Sequence, residues 1–149
     1  MNPRFCIAFA LLGIGSKSLD AQLDVTVKAY HEWKAAEAKC KSEPACSARS
    51  DIEKSASTTY LKGIGDGFVW SNVSLNGMHR DRLYCQPEKL GMDAANYDQI
   101  LESFLPKANQ AWNALKSKEW KSVEDVPVGF VLLMALIDAF PCGAEVKQP

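Results

Sequence analysis

Histidine, strand-like alternation and charge of one dominant sign are scarce or missing in this chain, and each shortage closes a class of function. There are two histidines, His31 and His79. His31-Glu32 is not followed by a second histidine at helical spacing, so the helical zinc-hydrolase motif is missing. His31 reads as a partly buried polar residue on a helix, and His79 as part of a solvated loop 78–82 with Arg80, Asp81 and Arg82. No Gly-x-Ser-x-Gly nucleophile elbow occurs. The run Gly63-Ile64-Gly65-Asp66-Gly67 lacks the dinucleotide fingerprint and follows no strand. Asp66 is the one acid in an unusual setting, yet a single carboxylate is no acid/base pair. The chain is therefore read as a non-enzyme with no metal and no cofactor, a hydrolase built on Asp66 or His79 being the catalytic alternative. Period-two alternation is not sustained anywhere, which leaves no sheet to build. With 17 basic and 18 acidic residues the charge is balanced, which argues against nucleic acid or an anionic membrane as partner, since both favour clustered positive charge.

What is present centres on Val126-Pro127-Val128-Gly129-Phe130-Val131-Leu132-Leu133-Met134-Ala135-Leu136-Ile137-Asp138-Ala139-Phe140-Pro141-Cys142. Apolar residues at 128, 131, 132, 135, 136 and 139 share one helix face. Phe130, Leu133, Met134, Ile137 and Phe140 fill the other side, and a helix without a polar face is a buried one. It is shorter than the roughly 20 apolar residues a bilayer needs. Pro127 is tolerated at its start and Pro141 cannot continue it.

The first residues read as a secretory signal peptide: a positive start to Arg4, an apolar run Phe5 to Gly15, and a small-residue site Leu19-Asp20-Ala21 before Gln22. Residues 1–21 are then leader and 22–149 a single helical domain, exported and soluble. Cleavage removes Arg4, Lys17 and Asp20 from the 17 basic and 18 acidic residues, leaving an excess of two acids. Four of the five cysteines also remain, Cys40, Cys46, Cys85 and Cys142. An even number in an exported chain reads as two disulfides with three connectivities. Cys40–Cys46 with Cys85–Cys142 is the pairing favoured here, closing a small and a long loop for roughly 2 and roughly 4 kcal/mol in the chain-entropy model. Zinc is disfavoured because Cys40-x5-Cys46 is wider than the usual ligand spacing and no histidine is near.

Along the chain, a first helix is expected from about Leu23 to Cys40, followed by a turn at Pro44. A second runs from near Ser50 through Trp70, with Leu61, Ile64 and Phe68 inward. Gly63 and Gly67 share a face that would let another helix approach. Residues 71–91 read as irregular, and Asn72-Val73-Ser74 has the form of a glycosylation sequon, relevant only to a eukaryotic secretory route. Asp93 is placed to cap a third helix over 94–105 that Pro106 ends or kinks, with a short helix at 107–115 beyond it. A charged connector 116–125 leads into the terminal helix. The fold class is all-α: a compact bundle of about four to six helices around a buried C-terminal helix, stapled by two disulfides.

Three stretches together, Tyr60-Leu61-Lys62-Gly63-Ile64-Gly65-Asp66-Gly67, Cys85-Gln86-Pro87 and Ala135-Leu136-Ile137-Asp138-Ala139-Phe140-Pro141-Cys142, resemble the Rap/Tai-type immunity proteins of bacterial type VI secretion. The resemblance covers roughly residues 55–142. The Cys40/Cys46 pair and a longer 106–125 link depart from it. It implies a small helical periplasmic protein that inhibits a peptidoglycan amidase effector by occluding its cleft, with a homodimer among the states open to it. It also implies that Cys85 pairs with Cys142. The expected protein contacts fall in 71–84 and 112–124, at Asn76, His79, Arg80, Arg82, Trp112, Lys116 and Trp120. Tryptophan is enriched at interface hot spots, although Trp112 and Trp120 at the core edge is the plainer account of the pair. The alternative to immunity is a periplasmic structural or chaperone-like helical domain with no dedicated toxin.

Overall fold

The computed structural model describes residues 25–40, 47–87, 90–115 and 120–143. The expected leader 1–21, Cys46 and Lys116 lie outside them. Four α-helices and one 3-10 turn make up the regular structure of the described residues: α1, Val27–Cys40; α2, Ser47–Gly77; α3, Ala94–Leu115; the turn Val123–Asp125; and α4, Val128–Ala139. The all-α class is what the absence of period-two alternation predicts.

Helix α4 lies where the apolar run places it. Val128, Val131, Leu132, Ala135 and Leu136 are buried. Its other side is only partly covered, with Phe130 42% and Met134 40% exposed. The expectation of burial all round is corrected to one buried face and one partly exposed apolar face. The helix starts at Pro127, whose carbonyl accepts from Phe130 and Val131, and Pro141 follows its end.

The start of α1 is clipped to the start of α4. Val27 N–H donates to the Val126 carbonyl at 2.9 Å and Val128 N–H to the Val25 carbonyl at 2.8 Å, an isolated antiparallel bridge at Thr26 and Pro127. This pairing holds Val25 and Thr26 extended, so α1 begins at Val27 and not at Leu23. The Thr26 hydroxyl accepts from Ala29 N–H at 3.3 Å, in the manner of an N-cap. Further along, the Tyr30 hydroxyl sits 2.7 Å from Asp98 and 2.6 Å from Glu102 on α3, while Lys34 donates to Asp98 at 2.8 Å. Tyr30, Val27 and the α3 residues Tyr97, Leu101, Leu105 and Ala108 close around the buried face of α4.

Two further helix boundaries differ from expectation. Residues 71–77 are helical, and α2 runs unbroken to Gly77. Local propensity there is weak, but Asn72 ties the last turns to the following segment. Leu83 N–H donates to its Oδ1 at 2.7 Å, and its Nδ2 donates to the Tyr84 carbonyl at 3.0 Å. The sequon asparagine is thus a structural clamp. Pro106 neither ends nor separates a helix, since α3 is continuous through it to Leu115. Its missing N–H and its ring's clash with the preceding turn together cost about 3 kcal/mol or more in a helix interior. Burial of Leu101, Leu105 and Ala108 on either side of it offsets that. The start of α3 is as expected: Asn96 N–H donates to the Asp93 carboxylate at 2.9 Å, and Asp93 N–H to the Asn96 side chain at 3.0 Å, a reciprocal cap.

Cys85 and Cys142 are bonded, their Cα atoms 4.9 Å apart. The expected Cys40–Cys46 bond reaches outside the described residues at Cys46.

Candidate functional site

The end of α2 builds the first candidate region. His79 N–H donates to the Asn76 carbonyl at 3.1 Å and Arg80 N–H to the Leu75 carbonyl at 2.9 Å. These close the helix as a Schellman-type cap with His79 in the left-handed position, φ +53°. Glycine normally takes that position, so His79 is held there at some backbone cost. The chain then turns back along α2 as residues 80–87. Three ties hold this knuckle: the Asn72 side chain, the Cys85–Cys142 bond, and Cys85 N–H donating to the Phe140 carbonyl at 2.8 Å.

Between the last turns of α2 and the returning segment lies a groove of about 310 Å³. Val69, Val73 and Pro87 supply its apolar wall, and Asn76, Arg82 and Gln86 its polar rim. Neither Arg80 nor Arg82 makes an ion pair with any described residue. The knuckle therefore presents two guanidinium groups that no described residue pairs, from a backbone held by three ties. Trp70, 69% exposed, stands one residue beyond Val69 on the same helix.

The second candidate region is an aromatic triad. Trp112 and Trp120 lie 5.8 Å apart, and Phe130 lies 6.1 Å from the first and 5.9 Å from the second. Both tryptophans are half-buried against the core. Trp112 Nε1 is buried with no hydrogen-bond partner among the described residues. This matches the core-edge account of the pair, with Phe130 as the exposed third member.

The structure brings Asn76, His79, Arg80 and Arg82 together on one knuckle and places Trp112 and Trp120 elsewhere. Phe130 is in the first turn of α4 and Phe140 just beyond its last. At about 1.5 Å per residue the two regions stand roughly 15 Å apart along that helix. Sequence reasoning missed the groove wall of Val69, Val73, Gln86 and Pro87. The only local signal for it was Cys85-Gln86-Pro87, which marks the returning segment but not what it faces.

The remaining residues weighed for chemistry have ordinary roles. Asp66 pairs with Lys62 one turn before it on α2, so it is neither isolated nor bonded to backbone by its glycine neighbours. His31 Nδ1 lies 3.1 Å from Glu124 at the surface. No cluster of three His, Cys, Asp or Glu side chains suited to a metal occurs among the described residues. The perturbed groups are Lys34 and three tyrosines. Burial lowers the Lys34 ammonium, but its bond to Asp98 raises it on balance. Burial raises the Tyr84 phenol above its ordinary range. Burial, then the Tyr84 and Asp66 charges, push Tyr97 up to about 12. Tyr30 is raised by burial and by its bonds to Glu102 and Asp98. Burial is the first cause of the shift in all three phenols. Among the described residues no helix is long and apolar enough to cross a membrane.

Compared with protein-family models, with curated proteins and with solved structures, the chain matches none.

Proposed function

We propose that this chain is a periplasmic immunity-type protein that binds a cell-wall amidase effector and inhibits it by occluding the active-site cleft, using the knuckle 78–84 as the inserted element. The observation that carries this reading is the knuckle itself. It is fixed by Asn72, by the disulfide and by the Phe140 carbonyl, yet leaves the side chains of His79, Arg80 and Arg82 exposed and without a bond to any described residue. A loop held in one shape before binding loses little further freedom on association, which favours affinity. The disulfide is compatible with an oxidising compartment, as export through the leader at 1–21 would require. The second region, at Trp112 and Trp120, is the less suited contact because both rings already pack on the core.

A structural or chaperone-like role is the second reading. The exposed apolar side chains Trp70, Phe130 and Met134 favour it, since apolar surface is what unfolded clients recognise. The test is a native pull-down with the oxidised chain from lysate and secreted fractions of its own organism. One cell-wall hydrolase held stoichiometrically is the expected result. Weak capture of many unfolded proteins would favour the second reading.

A further inference from the structure

The groove beside the knuckle has a composition that specifies an occupant more narrowly than protein binding does. Its volume of about 310 Å³ is at the lower end of pockets that take ligands. That is room for a short piece of chain. One wall, Val69, Val73 and Pro87, is apolar. Val73 is 56% exposed there, so the surface is open to contact. The rim carries Arg82, whose guanidinium makes no ion pair with a described residue. A planar guanidinium is matched by a carboxylate, which it grips through two parallel N–H donors.

Asn76 and Gln86 complete the rim. Gln86 donates its Nε2 to the Leu90 carbonyl, which leaves its oxygen as an acceptor. The Asn76 side chain has no bond to a described residue and offers both a donor and an acceptor. Primary amides pair well with the peptide groups of an extended strand of another chain. The backbone of 83–85 is less available for strand addition, because Asn72 and Phe140 already engage Leu83, Tyr84 and Cys85.

We infer that this groove takes an extended segment of the partner protein in which an Asp or Glu stands beside an aliphatic residue. The carboxylate meets Arg82, the aliphatic side chain lies against Val69 and Val73, and the amides of Asn76 and Gln86 bond its peptide groups. The inference rests on the proposed reading of the chain as a binding protein, and it names the chemistry that the partner must present.

The test selects a phage library of short linear peptides on the oxidised chain, then titrates the enriched peptides while following backbone and methyl resonances. Enriched sequences are expected to place Asp or Glu within two residues of Val, Ile or Leu, and to move the resonances of Val69, Val73 and Gln86. Arg82→Ala should weaken them about tenfold or more, the scale of a lost charged hydrogen-bond pair. Arg82→Lys should recover part of that loss. Arg82 is exposed and its side chain bonds no described residue, so its replacement is expected to leave the fold intact. Val73→Asp, on an exposed helix face, should independently abolish peptide binding. Peptides without an acid, shifts centred on Trp112 and Phe130, an unaffected Arg82→Ala, or no enrichment would each overturn the inference. A hydrolase captured equally well by Arg82→Ala would overturn the groove while leaving the immunity reading standing. Acidic peptides bound with no hydrolase captured would do the reverse.

Discussion

The ring of Tyr97 on α3 occupies the space that a Cβ on Gly65 of α2 would fill. Of the three glycines in this part of α2, Gly65 alone has such a neighbour, and Gly63 and Gly67 face open space. Close approach is thus at the middle glycine, under an aromatic ring that is itself fully buried, and not at the outer pair that shares a face. Gly65→Ala should destabilise by about 1–3 kcal/mol through overpacking, beyond its gain in helix propensity. Gly63→Ala and Gly67→Ala should each stabilise by up to about 1 kcal/mol. Urea midpoints of the three variants check the order, and a stabilised Gly65→Ala would contradict the packing.

Asn72 makes two bonds to the returning segment, one as acceptor and one as donor. At about 1 kcal/mol net per bond, Asn72→Ala should lose about 2 kcal/mol. Amide exchange at Leu83 should accelerate relative to amides in α4. Asn72→Asp keeps the acceptor for Leu83 N–H and loses only the donor, so it should be the milder change. Unaltered exchange at Leu83 in Asn72→Ala would mean that the disulfide and the Cys85–Phe140 backbone bond suffice to hold the knuckle.

Tyr30, Tyr84 and Tyr97 all have phenols raised above the ordinary 10.0. A raised folded value means that the native state favours the protonated phenol. The corresponding stability is fully present below pH 10 and is lost as pH rises through the folded values, for Tyr97 between 10 and about 12. Alkaline titration followed at the phenolate absorbance should therefore show ionisation coincident with loss of helical circular dichroism. Smooth ionisation of all four tyrosines with the helices intact would contradict it.

Trp112 and Trp120 close the core edge over α4 with Phe130. Full burial of an aromatic makes its loss to alanine cost about 3–5 kcal/mol, and half-burial should bring each of these to about 1–3. The double alanine variant is expected to lower thermal stability markedly. A double variant as stable as the parent and deficient only in partner binding would move the contact surface to residues 112–124.

The elements legible in the sequence are those whose cause is local. The unbroken apolar run gave α4, Pro141 its end, and Asp93 the start of α3. The even number of cysteines after the expected leader left three connectivities, among which the favoured one contains the Cys85–Cys142 bond that is found. What was not legible depends on residues far apart in the chain. The last turns of α2 look like a loop until Asn72 meets Leu83 and Tyr84. Pro106 looks like a stop until burial on both sides of it is counted. The groove was invisible because Val69 and Val73 read as ordinary helix residues, and only the returning segment makes them a wall. Of the expected contact regions, 71–84 and 112–124, the sequence offered no distance between the first and Trp112.

The central claim is inhibition by a rigid knuckle, and titrating purified amidase with the oxidised chain tests it most directly, following peptidoglycan turbidity. The account predicts that activity falls to zero at one-to-one stoichiometry, and that Arg80→Glu with Arg82→Glu restores it without unfolding the chain. Full amidase activity in a molar excess of the folded, oxidised chain would contradict it.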